Sequence, residues 1–266
     1  MKQLKLMVLT LTLLMGTMFT SCMDSGESGP QQWTGVVKVN ARMGYVTFTD
    51  AAGTELVPTN TIPVTLNARM AYIYCQVDEG QDLSTNPKSI KITLLADPTG
   101  IDATAITTPK VESSDVTTNA PVGSLSFASG YSTVAPFQFS ENTIVLPVLY
   151  RVKNVTTTED IKNELAKHTF TLVCYTDDIK SGDTILKLYL RYKVEDEPAA
   201  IAERATRTSS FKAYEISQIL REYTLKSGQT KPAKITIVAQ QNEYNNKLED
   251  TSTIEKVYEI EYKTAE

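Results

Sequence analysis

Thr-Ile-Leu-Lys-Leu-Tyr-Leu-Arg-Tyr-Lys-Val, residues 184–194, is the stretch that decides the fold. Leucines alternate in it with larger polar or aromatic side chains, namely Lys187, Tyr189 and Arg191. A period of two places the two sets on opposite sides of a β-strand. Strand-like runs recur from residue 122 onward, at 143–153, 169–175, 184–194, 234–240 and 254–262, with weaker candidates at 123–127 and 210–215. About seven such strands predict an immunoglobulin-like β-sandwich over residues 122–266.

One or two short helices are expected within the sandwich. Threonines and acidic residues at 156–160 precede Ile161 and Leu165, which is typical of a capped helix start. A weaker helical stretch covers 217–223.

Residues 33–96 contain five further short strands, at 34–40, 45–49, 55–58, 69–77 and 89–95. Five antiparallel strands in so short a segment predict a small OB-like five-stranded barrel. The periodicity then fades over 97–121, and we expect a linker with little structure of its own. The chain is therefore predicted to be all-β, with the barrel followed by the sandwich.

The N-terminus has the features of an export signal. Lys2 and Lys5 precede an apolar run that ends in Phe-Thr-Ser-Cys, with Cys22 as its last residue. The run is shorter than the roughly 20 apolar residues of a spanning helix. A small residue directly before a cysteine resembles a bacterial lipobox. Residues 1–21 are thus predicted to be a lipoprotein signal peptide, Cys22 the lipidated residue, and residues 22–32 a flexible tether that starts at this cysteine.

Composition excludes several classes of protein. The chain has 266 residues, a formal charge of −5, 41% hydrophobic and 21% charged residues, which excludes a disordered or polytopic membrane protein. Residues 33–96 hold five basic and five acidic side chains. The barrel therefore lacks the basic face that a nucleic-acid partner needs.

Few side chains in the chain carry reactive chemistry. Cys75 and Cys174 lie in apolar strand-like runs and are predicted to be buried free thiols. His168, the single histidine, follows the predicted helix, and no Gly-x-Ser-x-Gly motif accompanies it. We expect no catalytic residue, no metal site and no cofactor. The acidic segment 177–183 is interpreted as a hairpin turn, and 195–198 as a solvated strand end stopped by a proline.

The lipobox, the acidic tether, the barrel segment 45–50 and the sandwich segment 186–192 together resemble the NigD-like lipoproteins of the Bacteroidales. The resemblance covers essentially the whole mature chain. It implies an N-terminal OB-like domain, a C-terminal β-sandwich and no catalytic residues. The family takes its name from a bacteriocin locus, which suggests a role in bacteriocin production, export or immunity.

The strands also indicate an interaction surface. If the aliphatic faces fill the barrel and the sandwich, a second set of side chains faces outward, where tyrosine and arginine make good recognition contacts: Tyr45, Tyr72, Tyr74, Lys187, Tyr189 and Arg191. The alternative is that these side chains cover an interface between the two domains or form cross-strand pairs. Trp33 is the only tryptophan, which argues against a glycan platform of stacked indoles.

The sequence therefore predicts a non-enzymatic lipoprotein of the outer membrane, on its periplasmic or cell-surface face, that acts as an interaction or accessory module. Its expected partners are the membrane, through the lipid, and another envelope protein or a surface ligand. The alternatives are a structural subunit of fimbrial type and a surface glycan-binding protein. A hydrolase would need two carboxylates about 5–10 Å apart in a cleft.

Overall fold

A computed structural model describes residues 31–42, 45–60, 66–81, 83, 87–129 and 132–264. The predicted signal peptide, Cys22 and the tether up to residue 30 lie outside these ranges. The chain forms two compact units. Of the described residues, the first unit comprises those up to Ala103 and those within Ala128–Val134, and the second comprises Thr104–Phe127 and those from Ala135 onward.

The first unit is built on five strands that form a closed barrel: β1 (Gln32–Arg42), β2 (Tyr45–Thr49), β3 (Glu55–Pro58), β4 (Met70–Val77) and β5 (Ser89–Leu94). They follow the order β1-β2-β3-β5-β4, and β4 pairs with β1 to close the barrel. The β3–β5 pairing is parallel, whereas the other pairings are antiparallel. The predicted OB-like barrel is confirmed.

Alternation along the strands fills the barrel as predicted. In β4, Ala71, Ile73 and Cys75 belong to a buried cluster, whereas Tyr72 is half-buried and Tyr74 is 37% exposed. Trp33 also lies in this cluster, at 8% exposure, and therefore forms no surface platform.

Part of the predicted linker is structured, which corrects the expectation for 97–121. β6 (Thr99–Ile101) pairs with β4, and β7 (Ala103–Ala105) joins a sheet of the sandwich. Thr107 forms backbone hydrogen bonds with Leu172 and Cys174, and Val116 and Ala120 are buried. The threonine- and proline-rich sequence does not predict these contacts, because each of the two strands has only three residues and is too short to show a periodic pattern.

The candidate strand at 123–127 is also wrong. Only isolated bridges form at Val122 and Ser124, and the strand β8 (Phe127–Ser129) begins later and pairs with β9 (Ser132–Val134). Gly123 packs so closely on the strand β11 (Thr143–Val152) that an added Cβ would lie 3.2 Å from the Leu149 carbonyl oxygen. A close backbone approach of this kind selects glycine and interrupts regular pairing.

Two four-stranded sheets make the sandwich of the second unit. Their strands besides β7 are β10 (Phe137–Ser140), β11 (Thr143–Val152), β12 (His168–Val173), β13 (Ile185–Val194), β14 (Thr206–Glu215), β15 (Lys234–Gln241) and β16 (Ile254–Glu261). One sheet has the order β10-β11-β14-β7 and the other β12-β13-β15-β16. Side chains of both sheets, including Ile144, Leu188 and Ile237, share one buried cluster. The β13–β15 pairing is parallel, so the second sheet is mixed, unlike an immunoglobulin sheet.

Three helices lie in the second unit: α1 (Thr158–Ala166), α2 (Pro198–Ala202) and α3 (Ser217–Ser227). The first and third confirm the predicted helices, and the Thr157 side chain caps α1. Sequence reasoning missed α2, whose proline occupies the first turn instead of only ending a strand. No helix in the described part of the chain is long and apolar enough to cross a membrane.

Candidate recognition site

The outward face of β13 carries a compact group of aromatic and cationic side chains. We call Tyr175, Lys187, Tyr189 and Arg191 the β13 cluster. The Tyr175 and Tyr189 rings meet edge to face, with centroids 5.3 Å apart. Arg191 Cζ lies 5.1 Å from the Tyr189 centroid and 5.7 Å from that of Tyr175, and Lys187 Nζ lies 5.0 Å from the Tyr189 centroid. These distances are those of cation–π contacts.

Arg191 holds the two tyrosines in place. Its Nη2 donates to the Tyr175 hydroxyl at 3.1 Å, and its Nε lies 3.4 Å from Glu112 Oε1. The Arg191 side chain is only 14% exposed. Lys187 is exposed, and the Tyr189 hydroxyl, as its hydrogen-bond partner, raises the pKa of Lys187. Arg191 therefore orders the cluster, and Lys187 presents a cation to the solvent.

A groove of about 540 Å³ adjoins the β13 cluster. We call it the β13 groove. Its lining combines two aromatic rings, a lysine and two carboxylates: Tyr175, Tyr189, Lys187, Asp178 and Asp183. Pockets with apolar walls and a few converging polar groups are the usual form of a ligand site.

The segment between β12 and β13 shapes the groove. The predicted hairpin turn at 177–183 is a 3-10 turn (Thr176–Asp178) followed by a tight turn in which Lys180 N–H donates to Asp183 Oδ2 at 2.7 Å. Gly182 there has φ 89°, which favours glycine. Lys226 binds Asp177 at 2.9 Å and lowers the pKa of that carboxyl. Across the described ranges, no group of three or more His, Cys, Asp or Glu side chains could hold a metal ion.

His168 belongs to a buried charge network, which we define as Glu164, His168, Tyr192, Asp196 and Arg204. Its Nδ1 lies 2.7 Å from the Tyr192 hydroxyl and its Nε2 3.3 Å from Glu164 Oε1. An ionised carboxylate can only accept a hydrogen bond, so Nε2 donates to Glu164 and Nδ1 of the neutral ring accepts from Tyr192. Burial lowers the pKa of His168, which keeps the ring neutral.

Arg204 forms ion pairs with both carboxylates of this network. Its guanidinium is buried, with Nε 2.7 Å from Glu164 Oε1 and Nη2 3.1 Å from Asp196 Oδ2. Burial acts to raise the pKa of Glu164, but hydrogen bonds from Lys153 N–H, Arg204 and His168 together lower it. Asp196 is held well below its usual pKa by Arg204 and two lysines. The interpretation of 195–198 as a merely solvated strand end is therefore wrong.

The barrel tyrosines of the predicted surface do not form one patch. Tyr45 is 79% exposed and lies opposite Arg42 in the β1–β2 register. Tyr72 lies opposite Val36 in the β1–β4 register. Val36 and Arg42 are six residues apart on β1, which corresponds to about 20 Å. Tyr74 donates its hydroxyl to Gln32 Oε1 at 2.5 Å.

Comparison with known proteins assigns the chain to a family. No protein-family model and no curated protein matches the sequence. The crystal structure of a "Putative lipoprotein" from Bacteroides fragilis is 94% identical in sequence, with a TM-score of 0.81, and the match covers 89% of this chain and 100% of that one. The chain belongs to the family of this Bacteroides lipoprotein.

Two further solved structures are more distant. A protein of unknown function from Bacteroides vulgatus is 11% identical, with a TM-score of 0.54 over 88% of this chain and 92% of that one. A NigD-like immunity protein from Bacteroides caccae is 12% identical, with a TM-score of 0.49 over 87% and 94% of the two chains. The resemblance to Bacteroidales lipoproteins is confirmed by the 94% identical relative, and the expected all-β fold of a barrel and further sheets is confirmed by the structure.

In this lipoprotein, the structure brings together the three residues of the predicted surface that belong to the sandwich. Lys187, Tyr189 and Arg191 lie side by side on β13, whereas Tyr45, Tyr72 and Tyr74 belong to the other unit. Sequence reasoning missed Tyr175, Asp178 and Asp183. The β12–β13 hairpin could have indicated Tyr175. Because Val173 pairs with Tyr189, the residues that follow Val173 lie beside Lys187.

Proposed function

We propose that this lipoprotein binds a partner of the cell envelope through the β13 cluster and catalyses no reaction. Both ring nitrogens of His168 are engaged and its side chain is fully buried, so it is no base for an external substrate. An aromatic and cationic face beside a groove is instead suited to recognition, in which tyrosine and arginine contribute most per contact.

Acyl chains on Cys22 would hold the protein at the outer membrane, on the periplasmic or cell-surface face. The lipobox-like end of the export signal and the family of the B. fragilis relative support lipid anchoring. Replacing Cys22 with Ala should move the protein from the membrane to the soluble fraction, and protease shaving of intact cells should report which face carries it. Unchanged membrane partitioning of the variant would contradict lipid anchoring.

The observation that carries the binding role is the order of the β13 cluster. Arg191 fixes both tyrosine rings before any partner arrives, through its hydrogen bond to Tyr175 and its ion pair with Glu112. Preorganised aromatic side chains lose little conformational entropy on binding. We identify the partner by chemistry as an envelope protein or surface ligand that meets two aromatic rings and an exposed lysine. An accessory role in bacteriocin production or immunity is what the NigD-like resemblance implies for such a partner.

Crosslinking on intact cells tests this role. A photoreactive residue at Lys187 should give a discrete adduct, whereas one at Lys162, exposed on α1, serves as the matched control. Tyr189→Ala should remove the adduct formed at position 187. Adducts of equal yield from both positions, or none from position 187, would refute recognition by the β13 cluster.

A glycan is the second candidate ligand, and the composition of the β13 groove favours it. Aromatic rings stack on sugar faces, and the carboxylates of Asp178 and Asp183 can accept hydrogen bonds from hydroxyl groups. A glycan array with the wild type and Tyr189→Ala separates the candidates. Hydrolysis of a bound glycan that depends on either carboxylate would overturn the non-enzymatic role.

A further inference from the structure

Two arginines of the sandwich face each other across neighbouring strands. Arg151 on β11 and Arg207 on β14 are direct partners in the antiparallel register. Both donate from Nη2 to the backbone carbonyl oxygen of Glu243, at 2.5 Å and 2.6 Å. Two positive charges thus converge on one neutral oxygen atom. We call this arrangement the arginine pair.

Among the described residues, neither arginine forms an ion pair. The carboxylate of Glu243, the residue whose carbonyl they share, accepts instead from Gln241 Nε2 at 3.0 Å. Like charges directly opposite each other in a sheet are destabilising. The arginine pair therefore costs free energy as it stands.

Burial increases the free-energy cost of these two unpaired positive charges. Arg151 is only 5% exposed, and its Nε is buried without a hydrogen-bond partner among the described residues. Burial first, and then the charge of Arg207, lower the pKa of Arg151. Because a guanidinium stays protonated in proteins, both charges persist. Arg207 is exposed and leaves the arginine pair open to solvent on its side.

Hydrogen bonds of Asn242 organise the loop that supplies the shared carbonyl. Asn242 is 1% exposed, and its Oδ1 accepts from the backbone N–H groups of Tyr244 and Asn245 at 2.9 Å and 3.0 Å. Its Nδ2 donates to Thr253 Oγ1 at 2.9 Å. The Glu243 carbonyl thus stays in place and keeps the two guanidinium groups together. Tyr244, 78% exposed, stands beside it.

We propose that the arginine pair is a binding site for a dianionic phosphate group. Two guanidinium groups carry two positive charges, and a phosphate monoester carries close to two negative charges at neutral pH. The exposed guanidinium of Arg207 can donate to the phosphate oxygens, and the buried guanidinium of Arg151 adds the second positive charge beside it. The ligand is either inorganic phosphate or a phosphomonoester on a larger molecule, for which Tyr244 offers an exposed aromatic contact. This site is separate from the β13 groove and does not depend on the proposed partner there.

Calorimetric titration of the detergent-solubilised full chain tests the site. Inorganic phosphate and glycerol 3-phosphate are the two probes, at about pH 7.5 and about 0.15 M salt, where weak surface attraction is screened. Saturable binding of both probes indicates that the site recognises the phosphate group itself. Binding of inorganic phosphate alone indicates a site for the free ion, and either result supports the proposal.

Variants locate the binding. Arg207→Gln should weaken phosphate binding by about tenfold or more, the effect of losing one charge-assisted contact. Glu243→Gln keeps the shared carbonyl and removes a nearby negative charge, so it should tighten binding. Arg221→Gln, an equal change of net charge on the exposed face of α3, should leave binding unchanged. Absence of binding to the wild type, or equal losses in Arg207→Gln and Arg221→Gln, would overturn the proposal.

Discussion

The ring of Trp33 packs against Gly35 within β1. An added Cβ at Gly35 would lie 2.5 Å from Cζ2 of the Trp33 ring, closer than any real contact. The ring covers the glycine and contributes to the barrel core. A glycine is required at this position because the indole occupies the space of a side chain, not because of its backbone angle.

Gly35→Ala should therefore destabilise the barrel by about 1–3 kcal/mol, as overpacking does in other cores. Trp33 is the only tryptophan, so its fluorescence reports this unit alone. We expect a red-shifted emission and a lower urea midpoint. Gly53→Ala is a poor control because its φ is 86°, whereas Lys38→Ala changes an exposed side chain of the same strand without a clash and should leave the midpoint unchanged. An unchanged spectrum and midpoint in Gly35→Ala would contradict the contact.

His168 makes stability depend on pH. Its pKa in the folded protein is below the ordinary value of 6.5, so the unfolded chain takes up the proton first. The free energy of unfolding should then fall as the pH drops through about 6.5. The lowered pKa of Glu164 acts in the same direction below about pH 4.5. Urea midpoints between about pH 7.5 and 5 should decrease for the wild type and decrease less for His168→Gln. A wild-type midpoint that rises on acidification would refute the neutral ring.

At the scale of elements, most strands could be predicted because their alternation is long enough to count. β13 and β4 show it over 8–10 residues, and the structure confirms their buried faces. The short strands β6 and β7 could not be predicted, because pairing with distant strands and not local pattern creates them. The prediction for the acidic segment before α2 was wrong for a related reason. Asp196 meets Arg204, Lys153 and Lys167 only after folding.

Helix α1 depends on its N-terminal cap. Asp160 N–H donates to Thr157 Oγ1 at 3.1 Å, and the Thr157 hydroxyl donates to Asp160 Oδ2 at 2.6 Å. Thr157→Ala should lower the free energy of unfolding by about 1 kcal/mol. Thr156→Ala is the matched control, since Thr156 is exposed and precedes the cap. Equal urea midpoints for the two variants would show that the cap contributes nothing.

At the scale of the whole molecule, two hydrophobic clusters stabilise the two units separately. Cys75 belongs to the barrel cluster and Cys174 to the sandwich cluster, each at 1% exposure. Burial raises the pKa of each thiol to about 12. Both cysteines are free, as the sequence predicted. Because only the thiolate reacts, each thiol reports the opening of its own core.

Alkylation followed by peptide mass spectrometry should show both thiols inert in the native protein. Gly35→Ala should accelerate labelling of Cys75 more than that of Cys174, and Leu188→Ala, which truncates a buried side chain of the sandwich, should do the reverse. Each variant serves as the control for the other. If either variant accelerated both cysteines equally, the two clusters would unfold as one cooperative unit, and separate stabilisation of barrel and sandwich would be wrong.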